Sequence, residues 1–174
     1  MLRTSILTSL CLAATGCLLL GDDGSSATGG LLETSEDSYV AEVVTDGRER
    51  VVVDIPYQTG NHTGLPVYLI GCRRPNPPIL EKRAGRDWVT VYAPIVTLCL
   101  SPPFEIAPGE SRFDTLHVVG FRPGQAAGPT FDGEVAGTYR LRREIFRDLT
   151  DEDPPIGRTM LPLSQRVSNS FEIR

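Results

Sequence analysis

The sequence predicts an all-β protein, an antiparallel sandwich of about seven to nine short strands. Three observations carry this prediction. Apolar and polar residues alternate with period two over much of the chain after residue 39. Seventeen glycines and fourteen prolines among 174 residues mark frequent turns between the alternating segments. No segment sustains the helical period of about 3.6 residues, so we expect few long helices.

The first strands are predicted between residues 39 and 58. A turn at Asp46-Gly47 separates the first alternating segment from the second. In the second segment apolar residues fall on one face and polar residues on the other, which is typical of a half-buried strand. The apolar face consists of Val51, Val53, Ile55 and Tyr57, and the opposite face includes Asp54 and Gln58.

The middle of the chain predicts a strand over residues 66–72 and then a hairpin. The hairpin strands cover residues 79–83 and 88–92 and flank a turn that contains Gly85. Trp88 and Tyr92 are in phase on the second of these strands, which indicates hairpin packing or, as a weaker alternative, an aromatic platform for carbohydrate. The apolar run 95–100 ends at two prolines and predicts a further strand.

The last third predicts strands over residues 113–121, 138–146 and 170–173. Between them, residues 122–135 and 148–162 are rich in glycine, proline or acidic residues and predict two long loops. Long loops on a rigid scaffold commonly carry binding residues. We therefore take Arg122, Gln125 and Asp132 of the first loop as candidate binding residues.

The first residues of the chain are typical of an export signal. Arg3 precedes an uncharged apolar stretch over residues 4–14 that is too short to span a bilayer permanently. The stretch ends in Ala14-Thr15-Gly16-Cys17, which resembles the lipobox of bacterial lipoproteins, although that motif usually has leucine where Ala14 stands. The resemblance implies a diacylglycerol and fatty acyl chains such as palmitate on Cys17, which becomes the new N-terminus after cleavage. An ordinary cleaved signal without lipid is the alternative.

These features divide the chain into three parts. Residues 1–16 form the predicted signal peptide, residues 17–38 the lipidated N-terminus with a flexible linker, and residues 39–174 the folded domain. Gly and Ser dominate residues 21–30, which is typical of a tether. The predicted location is the cell envelope, anchored to a membrane, and the outer membrane where the organism has one.

The four cysteines fit this location. Cys11 leaves with the signal and Cys17 carries the lipid, so Cys72 and Cys99 remain as a pair in an oxidising compartment. We predict a structural disulfide between them, because CxxC spacing is absent and no histidines lie near to complete a metal site. A redox dithiol and a metal site are the alternatives.

Three short segments resemble bacterial immunoglobulin-like modules. Residues 61–69, which read NHTGLPVYL, resemble the B-to-C turn of those modules, residues 106–111 a proline-glycine turn, and residues 137–140 the start of a late strand. The resemblance implies an immunoglobulin-like sandwich in which the hydroxyl of Tyr139 fixes a corner. The same pieces occur in bacterial proteinase-inhibitor β-sandwiches, which implies inhibition through residues 122–135 as the alternative function. The Cys…Trp…Cys order of antibody domains does not fit the spacing around Trp88.

Known catalytic and cofactor patterns are missing from the sequence. A net charge of −5 gives no electrostatic footprint for nucleic acid. Ser111 and His117 lie too far apart on one predicted strand to form a triad, and no G-x-S-x-G is present. The acidic run 148–153 lacks the spacing of a calcium loop. We therefore expect no enzyme activity, no cofactor and no bound metal.

Four arginines lie close together in the last third of the chain. Arg140 and Arg142 share a strand face, with Arg143 and Arg147 beside them, and the pattern indicates exposed strand positions rather than a basic stripe for an anionic polymer. The predicted function is a non-catalytic binding or structural module of the bacterial cell envelope. Its partners are the membrane, through the lipid, and an envelope protein or glycan.

Overall fold

A computed structural model describes residues 30–97, 101–125 and 128–174 of the chain. This part of the chain forms thirteen strands and one short helix, so the predicted all-β class is confirmed. The elements in chain order are β1 (Leu32–Thr34), β2 (Ser38–Tyr39), β3 (Glu42–Thr45), β4 (Glu49–Gly60), β5 (Val67–Leu69), β6 (Ile79–Ala84), β7 (Asp87–Tyr92), β8 (Phe104–Ile106), β9 (Ser111–Phe121), β10 (Gly137–Arg142), β11 (Phe146–Leu149), β12 (Gly157–Met160), α1 (Leu163–Arg166) and β13 (Phe171–Ile173).

The longest strand, β4, organises the first sheet. β9 pairs antiparallel with it from Arg50 to Gly60 without interruption. β1 and β3 also pair antiparallel with β4, near its two ends, and because β9 occupies one edge they share the other. The predicted alternation in β4 is confirmed, because its apolar residues are buried and Asp54 is exposed.

The second sheet has the order β2-β13-β10-β6-β7 and packs against the first. Buried residues of both sheets form one apolar cluster, which holds the two layers together by removing their inner faces from water. Its aromatic centre consists of Tyr139, Phe171 and Tyr39, whose rings lie 5.2 to 6.3 Å apart between centroids. The cluster comprises Leu32, Tyr39, Val51, Val53, Ile55, Tyr57, Leu80, Val91, Tyr92, Leu116, Val118, Phe131, Tyr139, Leu141, Phe171 and Ile173.

The third sheet has the order β12-β11-β5-β8 and encloses a smaller cluster. That cluster contains Leu31, Val67, Leu69, Ile106, Ile145 and Leu161. Leu31 and Leu32 are adjacent in the chain, yet each belongs to a different cluster. β1 therefore connects the two cores.

The hairpin predicted around Gly85 is confirmed by the pairing of β6 with β7. Gly85 has a φ of 64°, which the first central residue of a two-residue hairpin loop requires in the type II′ form. A β-bulge between Leu80 and Glu81 shifts the register of this pair. Trp88 and Tyr92 consequently lie on opposite faces of the sheet, so the prediction that they share a face was wrong.

Other boundaries also differ from the sequence analysis. Residues 30–38, predicted as linker, are part of the fold, because β1 pairs with β4 and Leu31 and Leu32 are buried. The loop predicted over residues 148–162 contains β12, which pairs with β11. Residues 93–97 form no strand, and residues 98–100 lie outside the described part.

The predictions for the N-terminus concern residues that are not described, including Cys17. Within the described ranges, no helix has the length and apolar character needed to cross a membrane. Cys99 also lies outside these ranges, so the disulfide stays a prediction. The Cys72 sulfur lies 2.9 Å from the carbonyl oxygen of Thr97, which places a residue two positions before Cys99 against it.

Candidate binding groove

The loop predicted to bind a partner is held against the first sheet. Arg122 Nε donates to Glu49 Oε1 at 2.7 Å, and the Glu49 amide donates to Gln125 Oε1 at 2.8 Å. Phe131, further along the same loop, is fully buried in the larger cluster. Asp132 is exposed, and its backbone amide donates to the Val91 carbonyl of β7 at 2.9 Å. Arg122 and Gln125 thus fasten the loop to the start of β4, and the three candidates form no common site.

The histidine and serine candidates do not come together as a triad. His117 Nδ1 lies 2.8 Å from Asp54 Oδ1 across the outer face of β4 and β9, and both side chains are largely exposed. Ser111 Oγ accepts a hydrogen bond from Gln58 Nε2 at 2.8 Å. Among the described residues no group of three His, Cys, Asp or Glu side chains could hold a metal ion.

Two of the motif residues fix turns. The Tyr139 hydroxyl donates to the backbone carbonyls of Glu134 and Val135, so the predicted corner contact is present. Asn61 is fully buried, and its amide donates at 2.8 Å to the carbonyls of Leu65 and Ile106 while its oxygen accepts from Thr63. Both side chains therefore stabilise turns of this fold through hydrogen bonds to the backbone.

The most distinctive backbone feature is the outer edge of β9. In an antiparallel pair each residue turns its N–H and C=O to the same side, and successive residues alternate. The Val119 amide and the His117 carbonyl both lie 3.4 Å from the Tyr92 hydroxyl, on the side away from β4. The odd-numbered residues of β9 therefore turn their backbone groups to this outer edge. Pro56, which has no N–H, lies opposite Thr115, as the same alternation requires.

The two ends of this edge differ. At the end of β9, Phe121 exchanges backbone hydrogen bonds of 2.8 and 2.9 Å with Phe131 and Pro129, which closes the edge. At its beginning, no other described strand pairs with it. The Thr115 amide donates a hydrogen bond to the Asp114 carboxylate at 2.8 Å, and Phe113 is 77% exposed. The edge from Ser111 to His117 thus has no further strand partner among the described residues, although the Thr115 amide and the His117 carbonyl bond the side chains of Asp114 and Tyr92.

A groove of about 650 Å³ follows this edge. One wall is β9 from Asp114 to His117, and the opposite wall comprises residues 72–77 and 94–97. Pro75, Pro77 and Pro94 stiffen the opposite wall because each fixes its own φ. A tight turn supports it, in which Gly71 pairs with Pro75 and a Cβ on Gly71 would lie 2.1 Å from the Arg74 carbonyl oxygen.

The groove carries two arginines that form no ion pair within the described residues. Arg73 and Arg74 are exposed on its wall, and no described carboxylate lies within 4.0 Å of either. Asp114 on the facing wall is the acidic residue that lines the same groove. Ile95 and Val96 add an exposed apolar surface beside them.

A second cleft, of about 520 Å³, continues the groove past the start of β9 and shares Pro75 and Asp114 with it. Arg143, Arg112 and Ser111 also line this cleft. Arg143 is 5% exposed, and burial lowers the pKa of its guanidinium while the nearby Tyr57 and Asp114 raise it. An arginine nevertheless stays charged at neutral pH.

The outer face of the second sheet carries a different arginine cluster. Glu81 is 5% exposed, and its two carboxylate oxygens accept from Arg140 Nε at 2.8 Å and from Arg142 Nε at 2.5 Å. The Arg140 guanidinium also covers the Trp88 ring at 4.4 Å from its centroid. These two arginines are therefore half-buried ion-pair partners rather than the exposed strand positions that we expected, and the buried Arg143 was misjudged in the same way.

Sequence reasoning missed the groove. Its walls come from residues 72–77, 94–97 and 114–117, and only the strand pairing brings these together. One signal was present, since Arg73-Arg74 followed by three prolines within four residues is a rigid basic turn. Comparisons with protein-family models, with curated proteins and with solved structures gave no match for this chain.

Proposed function

We propose that this protein is a non-catalytic binding module of the bacterial cell envelope, which receives an extended segment of a partner protein along the outer edge of β9. The observation that carries the proposal is the unpaired edge from Ser111 to His117, which faces a walled groove. An extended peptide can add to such an edge as a further strand through main-chain hydrogen bonds. The stiff proline wall reduces the ordering that binding requires.

Charge indicates the chemistry of the partner. Arg73 and Arg74 stand over the groove without carboxylate neighbours in the described ranges, so a segment with acidic side chains complements it. Ile95, Val96 and Phe113 offer apolar contacts to the alternate side chains of the same segment. A groove of about 650 Å³ is of a size that commonly holds a ligand.

The proposal includes the immunoglobulin-like type of the sandwich and the lipid on Cys17. The hydroxyl contact of Tyr139 and the buried Asn61 turn support the first, and the Ala14-Thr15-Gly16-Cys17 motif supports the second. Lipid attachment is tested by fractionating cells that express Cys17→Ser. We expect this variant to leave the membrane fraction, whereas its retention there would refute the anchor.

Site-specific photocrosslinking in intact cells tests the edge. A photoreactive amino acid replaces Phe113 in the full-length chain, and the matched control carries it at Thr90 of the edge strand β7, an exposed residue that lines neither the groove nor the second cleft. We expect a discrete protein adduct from position 113 that is absent from position 90. Mass spectrometry of the adduct should map the crosslink to one contiguous segment of the partner.

A blocking variant decides whether strand addition is the mode. Thr115→Pro places a proline ring at the outer edge of β9. It leaves the hydrogen bonds between β9 and β4 intact, because the Thr115 amide faces away from β4. A synthetic peptide of the mapped segment should bind the purified protein, and Thr115→Pro should abolish that binding while the circular dichroism spectrum stays unchanged. Equal adducts from positions 113 and 90, or binding that survives Thr115→Pro, would contradict the proposal.

Proteinase inhibition remains the alternative from the sequence. The structure gives it one supporting feature, since Arg122 bonds Glu49 and Phe131 is buried in the core, which fastens the described parts of this loop, residues 122–125 and 128–135. Gln125 nevertheless turns its side chain back to Glu49, away from an approaching protease. A panel of serine, cysteine and metalloproteases with purified protein tests it, and dose-dependent inhibition of any of them would favour this function.

A further inference from the structure

Arg143 is an unusual residue for the end of an apolar core. Its Nη1 donates to Thr59 Oγ1 at 2.9 Å and its Nη2 donates to the Asn76 carbonyl at 2.8 Å. Its guanidinium carbon lies 5.5 Å from the centroid of the Tyr57 ring. All three partners are neutral, and no described carboxylate lies within 4.0 Å of this buried cation. Buried charges are normally paired with an opposite charge.

The acidic residues around the cleft form no ion pair with Arg143, although the charge of Asp114 raises the pKa of its guanidinium. Asp114 accepts from the Thr115 amide at 2.8 Å and from the Tyr57 hydroxyl at 3.4 Å. Glu110 accepts from the Ala107 amide at 3.0 Å. Both carboxylates are therefore engaged with groups of the protein itself, and the cleft keeps two arginines without an ion-pair partner in the described chain.

The second arginine is held in place. The Arg112 guanidinium carbon lies 5.5 Å from the centroid of the Phe104 ring, and Arg112 faces Thr59 across the strand pair. Arg143 also bonds Thr59, near the end of β4, and both arginines line the same cleft. The hydrogen bonds of Arg143 to Thr59 and Asn76 use two of the five N–H donors of its guanidinium.

The direction of β9 relates this cleft to the groove. β9 begins at Ser111, beside the cleft, and runs along the groove toward His117. A strand that adds antiparallel to β9 therefore has its C-terminal end at the cleft. Antiparallel addition is the common arrangement, and every pairing of β9 and β4 in this structure has it.

We infer that the bound segment is the C-terminus of its parent chain, which adds antiparallel to β9 and places its terminal carboxylate between Arg143 and Arg112. This inference rests on the proposed function and names the ligand that the same site selects. A carboxylate suits the two arginines because guanidinium groups bind it through paired, charge-assisted hydrogen bonds. Arg73 and Arg74 then meet acidic side chains further back in the segment.

A pair of peptide pools tests the inference with purified full-length protein in detergent. One pool contains short random-sequence peptides with free C-terminal carboxylates, and the other contains the same sequences with C-terminal amides. Retained peptides are identified by mass spectrometry. We expect enrichment from the free-acid pool alone, and for a retained peptide we expect amidation to weaken binding about tenfold or more.

Variants assign the effect to the two arginines. Arg143→Lys keeps the charge but loses the paired geometry, and should weaken the free-acid peptide while leaving the amide unchanged. Since Arg143→Lys could fail to fold, Arg112→Gln, on an exposed side chain, provides a second variant with the same expected selectivity. The matched control is Arg86→Gln, an exposed arginine in the β6–β7 turn, which should change neither.

The outcomes separate the inference from the proposed function. Equal enrichment of both pools, abolished by Thr115→Pro, would overturn the terminal carboxylate and leave strand addition standing. Enrichment of internal acidic sequences irrespective of amidation would assign the cleft to side-chain carboxylates and overturn the inference. No enrichment from either pool would overturn both.

Discussion

Arg142 and Arg143 are neighbours in sequence but lie in opposite electrostatic environments. Arg142 and Arg140 bind the two oxygens of the buried Glu81 on the outer face of the second sheet. Arg143 turns to the other side, where it has only neutral hydrogen-bond partners and lines a cleft. The first region is a closed ion-pair cluster, and the second is a cationic site that forms no ion pair with the described part of the chain.

Arg142 is paired within the fold, whereas Arg143 forms no ion pair with a described carboxylate. The Glu81 cluster depends on strand register, since β6 and β10 must align for Glu81 to reach both Arg140 and Arg142. Burial of Arg143 costs desolvation energy, which its two hydrogen bonds and the nearby charge of Asp114 offset only in part. Removing the charge of Glu81 should therefore cost more stability than removing the charge of Arg143, and the predictions for these two residues test this difference.

Reduction of the predicted Cys72–Cys99 disulfide should lower the free energy of unfolding by about 3 to 4 kcal/mol, because the bond closes a loop of roughly 27 residues. Urea denaturation with and without reductant measures the change. Cys72 lines the groove, so peptide binding should weaken as well. The variant Cys72→Ser should be as unstable as the reduced protein, and an unaltered urea midpoint on reduction would rule the bond out.

Glu81→Gln should lower the free energy of unfolding by about 2 to 3 kcal/mol, because it leaves Arg140 and Arg142 half-buried without their counter-ion. Trp88, the one tryptophan of the chain, lies under Arg140 and reports unfolding by its fluorescence. The control Asp46→Asn removes an exposed ion pair with Arg50 and should cost less than about 0.5 kcal/mol. Equal losses in the two variants would argue against a closed cluster.

Arg143→Met should lower the free energy of unfolding by only about 1 to 2 kcal/mol. Thr59 and Asn76 lose a hydrogen-bond donor, but removal of the uncompensated buried charge offsets part of that loss. Urea denaturation at neutral pH measures it beside Glu81→Gln. A loss larger than that of Glu81→Gln would mean that Arg143 is compensated within the protein and would break the comparison.

Tyr57→Phe should have the smallest effect at neutral pH, since its hydroxyl makes only a 3.4 Å contact with Asp114. Burial raises the pKa of Tyr57 from 10.0 to about 12, although the charge of Arg143 lowers it. The unfolded chain therefore releases this proton first, so the stabilising contribution is present below pH 10 and is lost as the pH rises toward 12.

Urea denaturation at successive pH values above 10 checks this sign. The wild-type protein should lose stability more steeply than Tyr57→Phe over this range. Burial also raises the pKa of Tyr139 to about 12, so both proteins should lose some stability there. Parallel losses in the two proteins would contradict the raised pKa of Tyr57.

Local sequence patterns predicted the strands that have one buried and one solvent-exposed face. The alternation in β4 and the hairpin around Gly85 follow from residue order alone, and the structure confirms both. β1 escaped prediction because Leu31-Leu32 is a short apolar pair beside glycines, and it is buried only through contacts distant in sequence. β12 was not predicted either, because its residues are mostly exposed and show no apolar alternation. Its extended conformation depends on pairing with β11.

The site was harder to predict than the fold because it depends on strand register. Glu81 reaches Arg140 only through the alignment of β6 with β10, and the bulge after Leu80 reverses the face on which Trp88 lies. Whether Arg143 is buried depends on where the turn at Asn76 packs, which no local pattern specifies. Arg122 and Gln125 were chosen from a long loop whose contacts with Glu49 are equally non-local.

The position of β1 has a mechanical consequence. Under the proposed anchor, the tether enters the fold at Leu31 and Leu32, which are buried in two separate clusters, and continues into β1. β4 lies between β1 and β9, so tension between the membrane and a segment bound to β9 would cross three neighbouring strands of one sheet. The second sheet and the Glu81 cluster lie outside this load path. A pull on the partner would then act first on the hydrogen bonds between β1 and β4. The three-residue strand β1 should therefore be the first strand to detach under load.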